Sequence, residues 1–467
     1  MHIAFLNPQG NFDPQDRYWT QHPDFGGQLV YVKQVANALT AQGHTVDILT
    51  RRIVDPRWPG FESRQDAYPA GARIVRLHAG PNDRFVPKED LWPLLGSDWV
   101  PDILAFYGGD LPHVFTAHYG DGGISAALLR SITGIPYTFT AHSLGAQKRD
   151  GLLAAGESID EDRYHFTRRL EAERVAMNHA GIVITSTNQE RYAQYGHSAY
   201  AGAIDPNDDR RFAVVPPGVD QTVFYPGDAD DSTARQIRAF LKRDLETSRI
   251  ELPAVVSSSR LDPKKNHRVL IDAFGHSEEL RSRANLVLIT GAIEDPLHDD
   301  GPASRSERRV LAGLREAITA YDLGGAVSGF AIGNQRSLAD AYRFFAARTS
   351  VFALTALYEP FGLAPLEAAS TGLPVVVTRN GGPAESLRDE RGEYGVLVDP
   401  SDPDDVASGL LRALDQWHHF AREGRRRVLE RYTWDRTAQG YVAAIERALT
   451  VPVHPTEPIP AWCSLRS

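Results

Sequence analysis

Short apolar runs along the chain alternate with stretches whose apolar positions recur every three or four residues, the pattern of strands alternating with helices. His2 to Leu6 reads as a first strand, and Asn7 to Gln28 as a long loop containing glycine and proline. Leu29, Val32, Val35 and Leu39 then repeat at helical spacing, with Gly43 placed to end that helix. Thr45 to Leu49 gives the next strand, so the chain opens with a βαβ unit of the doubly wound type. Further strands are expected at Arg73 to Leu77, His113 to Thr116, Tyr137 to Thr140, Ile182 to Ser186 and Phe212 to Val215. The stiff segment Pro216-Pro217-Gly218-Val219-Asp220 breaks the series and reads as a linker. A second series begins at Pro253, with strands at Ala254 to Ser258, Asn285 to Ile289, Ala326 to Phe330, Val351 to Leu354, Pro374 to Val377 and Tyr394 to Val398. Asp402 to Trp417 and Thr433 to Leu449 read as late helices, the first capped by Ser401-Asp402-Pro403, and the tail after Leu449 as extended. The fold class is therefore α/β, with doubly wound domains over residues 1–218 and 219–432 whose carboxyl sheet edges are expected to face one cleft.

Composition adds bounds. A chain of 467 residues is too long for one ordinary core, in keeping with two domains. Hydrophobic content of 42% and charged content of 24% are those of a soluble globular protein. A net charge of −10 argues against nucleic acid as the main partner, because phosphate backbones demand a broad basic face. The single cysteine, Cys463, allows no intrachain disulfide. The start MHIAFLNPQG has neither a basic region nor a long apolar one, and no long apolar run follows, so a cytoplasmic protein without a membrane partner is expected.

The densest chemistry lies between Val351 and Glu385, which reads as two buried strands with a turn and a helix between them. Amides of Phe361, Gly362 and Leu363 would point off the strand's carboxyl edge with a helix's positive end behind them, a phosphate-binding geometry. Gly362 lets a diphosphate approach the backbone, and Pro360 suits a first helical position. A helix starting near Pro360 would put Glu367 roughly two turns in, where its carboxylate can accept both hydroxyls of a ribose. Glu359 at the mouth would face the sugar carried by the phosphate. Asp228 to Asp231 and Asp404-Asp405 lie in polar loops or at a helix start without a nearby histidine, so no metal site is expected there. Gly26-Gly27-Gln28 precedes a helix but is not the glycine pattern of a dinucleotide site, which makes a nicotinamide reading weak.

Glu359-Pro-Phe-Gly-Leu-Ala-Pro-Leu-Glu367 matches the E-x7-E motif of retaining GT-B glycosyltransferases, and the chain resembles the sucrose-phosphate synthases over nearly its whole length. The resemblance is carried by NPQGNFDPQDRYWTQHPDFGGQLVYVKQV from Asn7, by Thr116 to Gly123, by TAHSLGAQK at Thr140 to Lys148 and by SSSRLDPKKN at Ser257 to Asn266. It implies a GT-B fold whose terminal segment, residues 433–467, crosses back to the first domain. It also implies transfer of a hexosyl unit from a nucleotide diphosphate sugar, UDP-glucose favoured, to fructose 6-phosphate. Arg260 and Lys265 would then stabilise the departing diphosphate, Glu359 and His142 would serve the reacting sugar, and Gly27, Phe361, Gly362, Leu363 and Glu367 would bind the donor. Gly26, Gln28, Tyr119 and Ser143 would border the acceptor. Lys88, Lys148, Arg168 and Arg169 would converge on its phosphate through charge-assisted hydrogen bonds. No cofactor or bound metal is implied, and the oligomeric state stays open. Rival readings are a mannosylfructose-phosphate synthase using GDP-mannose, a sucrose-synthase-like enzyme taking free fructose, and a nucleotide-sugar-binding protein without turnover.

Overall fold

The computed structural model describes residues 1–18, 22, 25–154, 156 and 158–463, with the side chain of residue 89 excepted. Parts of the expected loop after Asn7 and of the tail lie outside the described residues. The chain divides into two compact units, one formed by Met1–Pro216 with Trp434 onward, the other by Pro217–Thr433.

Eight strands build the first unit: β1 (His2–Leu6), β2 (Thr45–Arg51), β3 (Gln65–Ala67), β4 (Arg73–Leu77), β5 (Val114–His118), β6 (Tyr137–Thr140), β7 (Ile182–Thr185) and β8 (Phe212–Val214). Their order is β3-β4-β2-β1-β5-β6-β7-β8, parallel throughout except where β3 runs antiparallel to β4. Alternation along β1 sends Ile3 and Phe5 into one core layer and Ala4 and Leu6 into the other, so the sheet is buried on both faces, as a parallel sheet requires. Strand order reverses between β1 and β5, which puts the loops after these two strands side by side at the switch point.

The second unit holds β9 (Ala254–Ser258), β10 (Asn285–Thr290), β11 (Val327–Ala331), β12 (Val351–Leu354), β13 (Val375–Thr378), the small antiparallel pair β14 (Arg388–Asp389) and β15 (Gly392–Glu393), and β16 (Val396–Val398). Its main sheet is all parallel in the order β11-β10-β9-β12-β13-β16, and its switch point lies between β9 and β12. Among the described residues no helix is long and apolar enough to cross a membrane.

The sequence reading differs from this fold in several places. The polar strands β3, β14 and β15 carry no apolar run, and the helix Trp417–Arg431 is too rich in arginine to show an apolar stripe. The units part between Pro216 and Pro217 and between Thr433 and Trp434, where the sequence placed the breaks after 218 and 432. The cause is local: Val219 pairs with Thr433, and its amide donates to the Tyr432 carbonyl at 2.8 Å, so both chain crossings belong to the second unit. The helix Trp434–Thr450 lies on the first unit, burying Tyr441, Ala444, Ile445 and Ala448 in the core layer that holds Phe5. The tail beyond it is strapped to the helix Phe166–His179, with Asn178 Oδ1 accepting from the amides of Thr456 and Glu457 at 2.8 and 3.0 Å.

Candidate active site

At the first switch point, the loop after β1 is stitched down by its own side chains. Asn11 Nδ2 donates to the Arg51 carbonyl at 2.7 Å, and the buried Arg76 guanidinium donates to Asn11 Oδ1 at 3.1 Å and to the Phe12 carbonyl at 2.7 Å. The helix that follows begins at Gly27 with Gly26 as its cap, so Gly27 and Gln28, read as loop, are its first residues. Gln28 Nε2 bonds Asn7 Oδ1, which ties the helix start to the end of β1.

Across the switch, β5 and β6 end in step, with His118 paired to Thr140 in register. Just beyond each end stands a non-glycine residue in the left-handed region, Tyr119 at φ 61° and His142 at φ 56°. Such backbone is costly and gathers where a side chain must be aimed. His118 is fully buried, and its Nδ1 lies 2.8 Å from His142 Nε2. Phe5 stacks on the His118 ring with centroids 5.3 Å apart, and Tyr31 meets His142 edge-on at 5.0 Å. Burial pushes the His142 imidazole down to about 3, and burial with the neighbouring His142 holds His118 well below its ordinary value. Both rings are therefore neutral at neutral pH. Sequence reasoning found His142 and Tyr119 but assigned His118 no role, since burial and a cross-strand partner are not visible in a lone histidine.

Three of the four cations assigned to an acceptor phosphate have contacts of their own within the unit. Arg168 and Arg169 are consecutive helical residues, about 100° apart around the axis, so they face different ways. The Arg168 guanidinium lies over the Trp462 ring at 5.6 Å. Arg169 points inward, its Nε donating to Glu173 Oε1 at 2.8 Å and its Nη2 to the Ser143 carbonyl at 2.9 Å. Glu173 also accepts from the Gly145 amide at 3.0 Å and the Tyr200 hydroxyl at 2.5 Å. Arg169 thus holds the turn His142–Gly145 in place. Lys148 is exposed with its ammonium 5.1 Å from the Tyr164 ring centroid, and Lys88 opens the helix Lys88–Leu94. Ser143 takes part through its backbone carbonyl.

In the second unit the loops after β9 and β12 meet at the switch point. The Leu357 amide donates to the Lys264 carbonyl at 2.9 Å, and Thr355 Oγ1 to the Asn266 carbonyl at 3.3 Å. These straps bring Lys265 Nζ to 2.6 Å from Glu359 Oε2, an ion pair whose side chains keep 22% and 12% of their surface. The expectation had given the lysine to the phosphate and the glutamate to the sugar; without ligand they neutralise each other. Arg260 is exposed, and among the described residues no side-chain hydrogen bond holds its guanidinium.

The helix behind Glu359 begins at Leu363, not near Pro360, because Gly362 takes φ 93° as its cap. Pro360 is outside the helix, and Glu367 is the fifth helical residue, little more than one turn in. Burial raises the Glu367 carboxyl to about 7, with a hydrogen bond from Gln335 pulling the other way. The loop after β13 lies flat against the motif: the Glu359 amide donates to the Asn380 carbonyl at 3.0 Å and the Gly382 amide to the Glu359 carbonyl at 3.0 Å. A Cβ on Gly381 would stand 2.0 Å from the Glu359 carbonyl oxygen, so only glycine allows that contact. Asn380-Gly381-Gly382 therefore belongs with the site, although sequence reasoning passed over it. The acidic runs act as caps: Asp230 accepts from the Ser232 amide at 2.9 Å and Asp402 from the Asp404 amide at 3.0 Å.

Two doubly wound units, each carrying its polar cluster at the switch point and the second built on Glu359 and Glu367, define a GT-B glycosyltransferase. The profile of glycosyl transferases group 1 matches residues 243–431, and that of the glycosyl transferase 4-like domain residues 26–204. The chain belongs to the sucrose-phosphate synthase family: it is 42% identical to a probable sucrose-phosphate synthase of Thermosipho melanesiensis, over 96% of this chain and 97% of that one. Sucrose-phosphate synthase 4 of Arabidopsis thaliana is 32% identical over 98% of the chain, which spans 48% of that longer protein. The solved sucrose-phosphate synthase of Thermosynechococcus elongatus superposes with a TM-score of 0.67 at 27% identity, over 96% of this chain and 98% of that one.

Proposed function

We propose that the chain transfers a glucosyl unit from UDP-glucose to fructose 6-phosphate, with retention at the anomeric carbon, giving sucrose 6-phosphate. The observation that carries this reading is the Lys265–Glu359 ion pair at the second switch point, within reach of the exposed terminus of the helix Leu363–Ser370. A departing nucleoside diphosphate gains charge as the glycosidic bond breaks, and Lys265, Arg260 and the helix terminus offer positive charge for it. Lys265 then exchanges Glu359 for phosphate oxygens, and the released Glu359 carboxylate can accept hydroxyls of the sugar. The acceptor hydroxyl attacks from the side of the leaving phosphate and passes its proton to a phosphate oxygen, so no carboxylate is glycosylated. This reading calls for no metal or cofactor. His142 and Tyr119 in the first unit supply neutral hydrogen-bonding groups to the sugars, and Lys148 supplies exposed charge for the acceptor phosphate.

Purified protein incubated with UDP-glucose, GDP-mannose or ADP-glucose, each with fructose 6-phosphate or fructose, tests the reading by mass spectrometry and NMR of the products. Sucrose 6-phosphate with an α-glucosyl linkage is expected. A mannosyl product, equal rates with fructose, an inverted linkage or glycosylated Glu359 would each overturn part of it.

A further inference from the structure

We propose that His118 is a positioning residue that sets the tautomer of His142: His118 donates from Nδ1 to His142 Nε2, so His142 carries its own proton on Nδ1 and presents an N–H donor at the end of β6. The two nitrogens are 2.8 Å apart, so a single proton lies between them. With both rings neutral there are two ways to place it. If His142 donated from Nε2, His118 would have its remaining proton on its own Nε2. That atom is buried, and among the described residues no hydrogen-bond partner reaches it. A buried N–H without an acceptor is among the rarest arrangements in folded proteins. With the proton on His118 Nδ1, the buried Nε2 is a bare lone pair and the second proton sits on His142 Nδ1. His142 Nδ1 then becomes a donor; it takes no hydrogen bond among the described residues, and the residue is partly exposed. The identity of the proton on one imidazole nitrogen is set by the bond the other makes.

The surroundings hold this arrangement still. Phe5 lies parallel to the His118 ring, at an interplanar angle of 6°, and Tyr31 stands edge-on to His142 at 82°. The left-handed backbone at His142, φ 56°, aims its side chain back at His118, which ends the neighbouring strand. Burial keeps both rings uncharged, so the pair does not give way to an imidazolium near neutral pH.

The kinetic consequence rests on the transfer reaction proposed above, whereas the tautomer is a property of the ligand-free chain and is read without activity. Long-range proton–nitrogen correlation spectra of the 15N-labelled protein are expected to show His142 protonated on Nδ1 and His118 protonated on Nδ1. A His142 proton on Nε2, or on both nitrogens, overturns the proposal. His118→Phe keeps the stacking on Phe5 but removes the donor, and is expected to move the His142 proton to Nε2 and to lower kcat by about tenfold, the low end of the loss seen when a metal-bound imidazole loses its orienting partner. His118→Asn, with an amide nitrogen near the place of Nδ1, is expected to restore the Nδ1-protonated form and most of kcat. An unchanged His142 tautomer in the Phe variant would show that His118 does not set it. If that variant fails to fold, the spectra of the parent and of His118→Asn still decide.

Discussion

The two switch points solve similar problems with opposite chemistry. In the first unit the polar groups at the ends of β5 and β6 are neutral, buried or half-buried, and held by rings: His118 and His142 share one hydrogen bond, and Tyr31 joins the hydroxyl of Tyr441 at 3.1 Å. In the second unit the corresponding loops carry charge within reach of water, with Lys265 and Glu359 paired and Arg260 exposed. Desolvation is what separates them. An uncharged donor set can be buried cheaply once it is hydrogen-bonded, and it then holds its geometry without a ligand. A cation near water keeps part of its hydration or takes a counter-ion, as Lys265 does with Glu359. The first cluster is thus held by packing, and the second by an ion pair.

Breaking the buried frame of the first unit should have the largest effect, and on stability. Arg169→Ala leaves Glu173 buried against Gly145 and Tyr200 without its cation, a loss of about 3–5 kcal/mol. Chemical denaturation should show it; an unchanged midpoint would mean that Arg169 is free to serve the acceptor after all. Next comes Lys265→Ala, expected to lower kcat by about 10²–10³-fold, or roughly 2.7–4 kcal/mol, with a smaller change in donor affinity. Single-turnover rates with UDP-glucose separate the two, and a change confined to KM would place Lys265 in ground-state binding only.

Glu367 gives a subtler contrast, because it is a half-buried carboxyl on the helix behind Glu359. A ribose diol donates to the ionised form, so UDP affinity should rise as pH rises through about 7 and weaken by up to about tenfold per unit below it. The sign for stability is opposite. A carboxyl raised by burial contributes fully below its unfolded value of 4.5 and loses that contribution as pH climbs to about 7, so the ligand-free protein should be relatively more stable on the acid side from this group alone. Calorimetric titration of UDP across this range checks the first point, and Glu367→Gln should flatten the profile. The smallest effect is expected from Lys148→Ala: an exposed cation should raise the Michaelis constant for fructose 6-phosphate severalfold, about 1 kcal/mol, with thermal stability unchanged. Equal shifts for fructose and fructose 6-phosphate would remove Lys148 from the phosphate.

Much of the molecule was legible in the chain. Parallel strands buried on both faces are continuous apolar runs, so β1, β6, β9 and β12 stood out with nearly their observed bounds. E-x7-E and the basic turn after β9 stand out in the string because each lies within one local strand, turn and helix. What the sequence could not supply was direction and partnership. Adjacent arginines look alike in a string, yet helical rotation sends Arg168 to Trp462 and Arg169 into the Glu173 network. Pro360 seemed a helix start until Gly362, at φ 93°, moved that start to Leu363. Gly381 and His118 matter only through contacts with residues distant in sequence, the Glu359 carbonyl and the His142 ring. Local propensity and hydrophobic period determine which elements form and in what order. Which side chains meet, and therefore which are neutral, charged or already engaged, is decided by tertiary packing, because desolvation and hydrogen-bond partners exist only once distant segments are brought together.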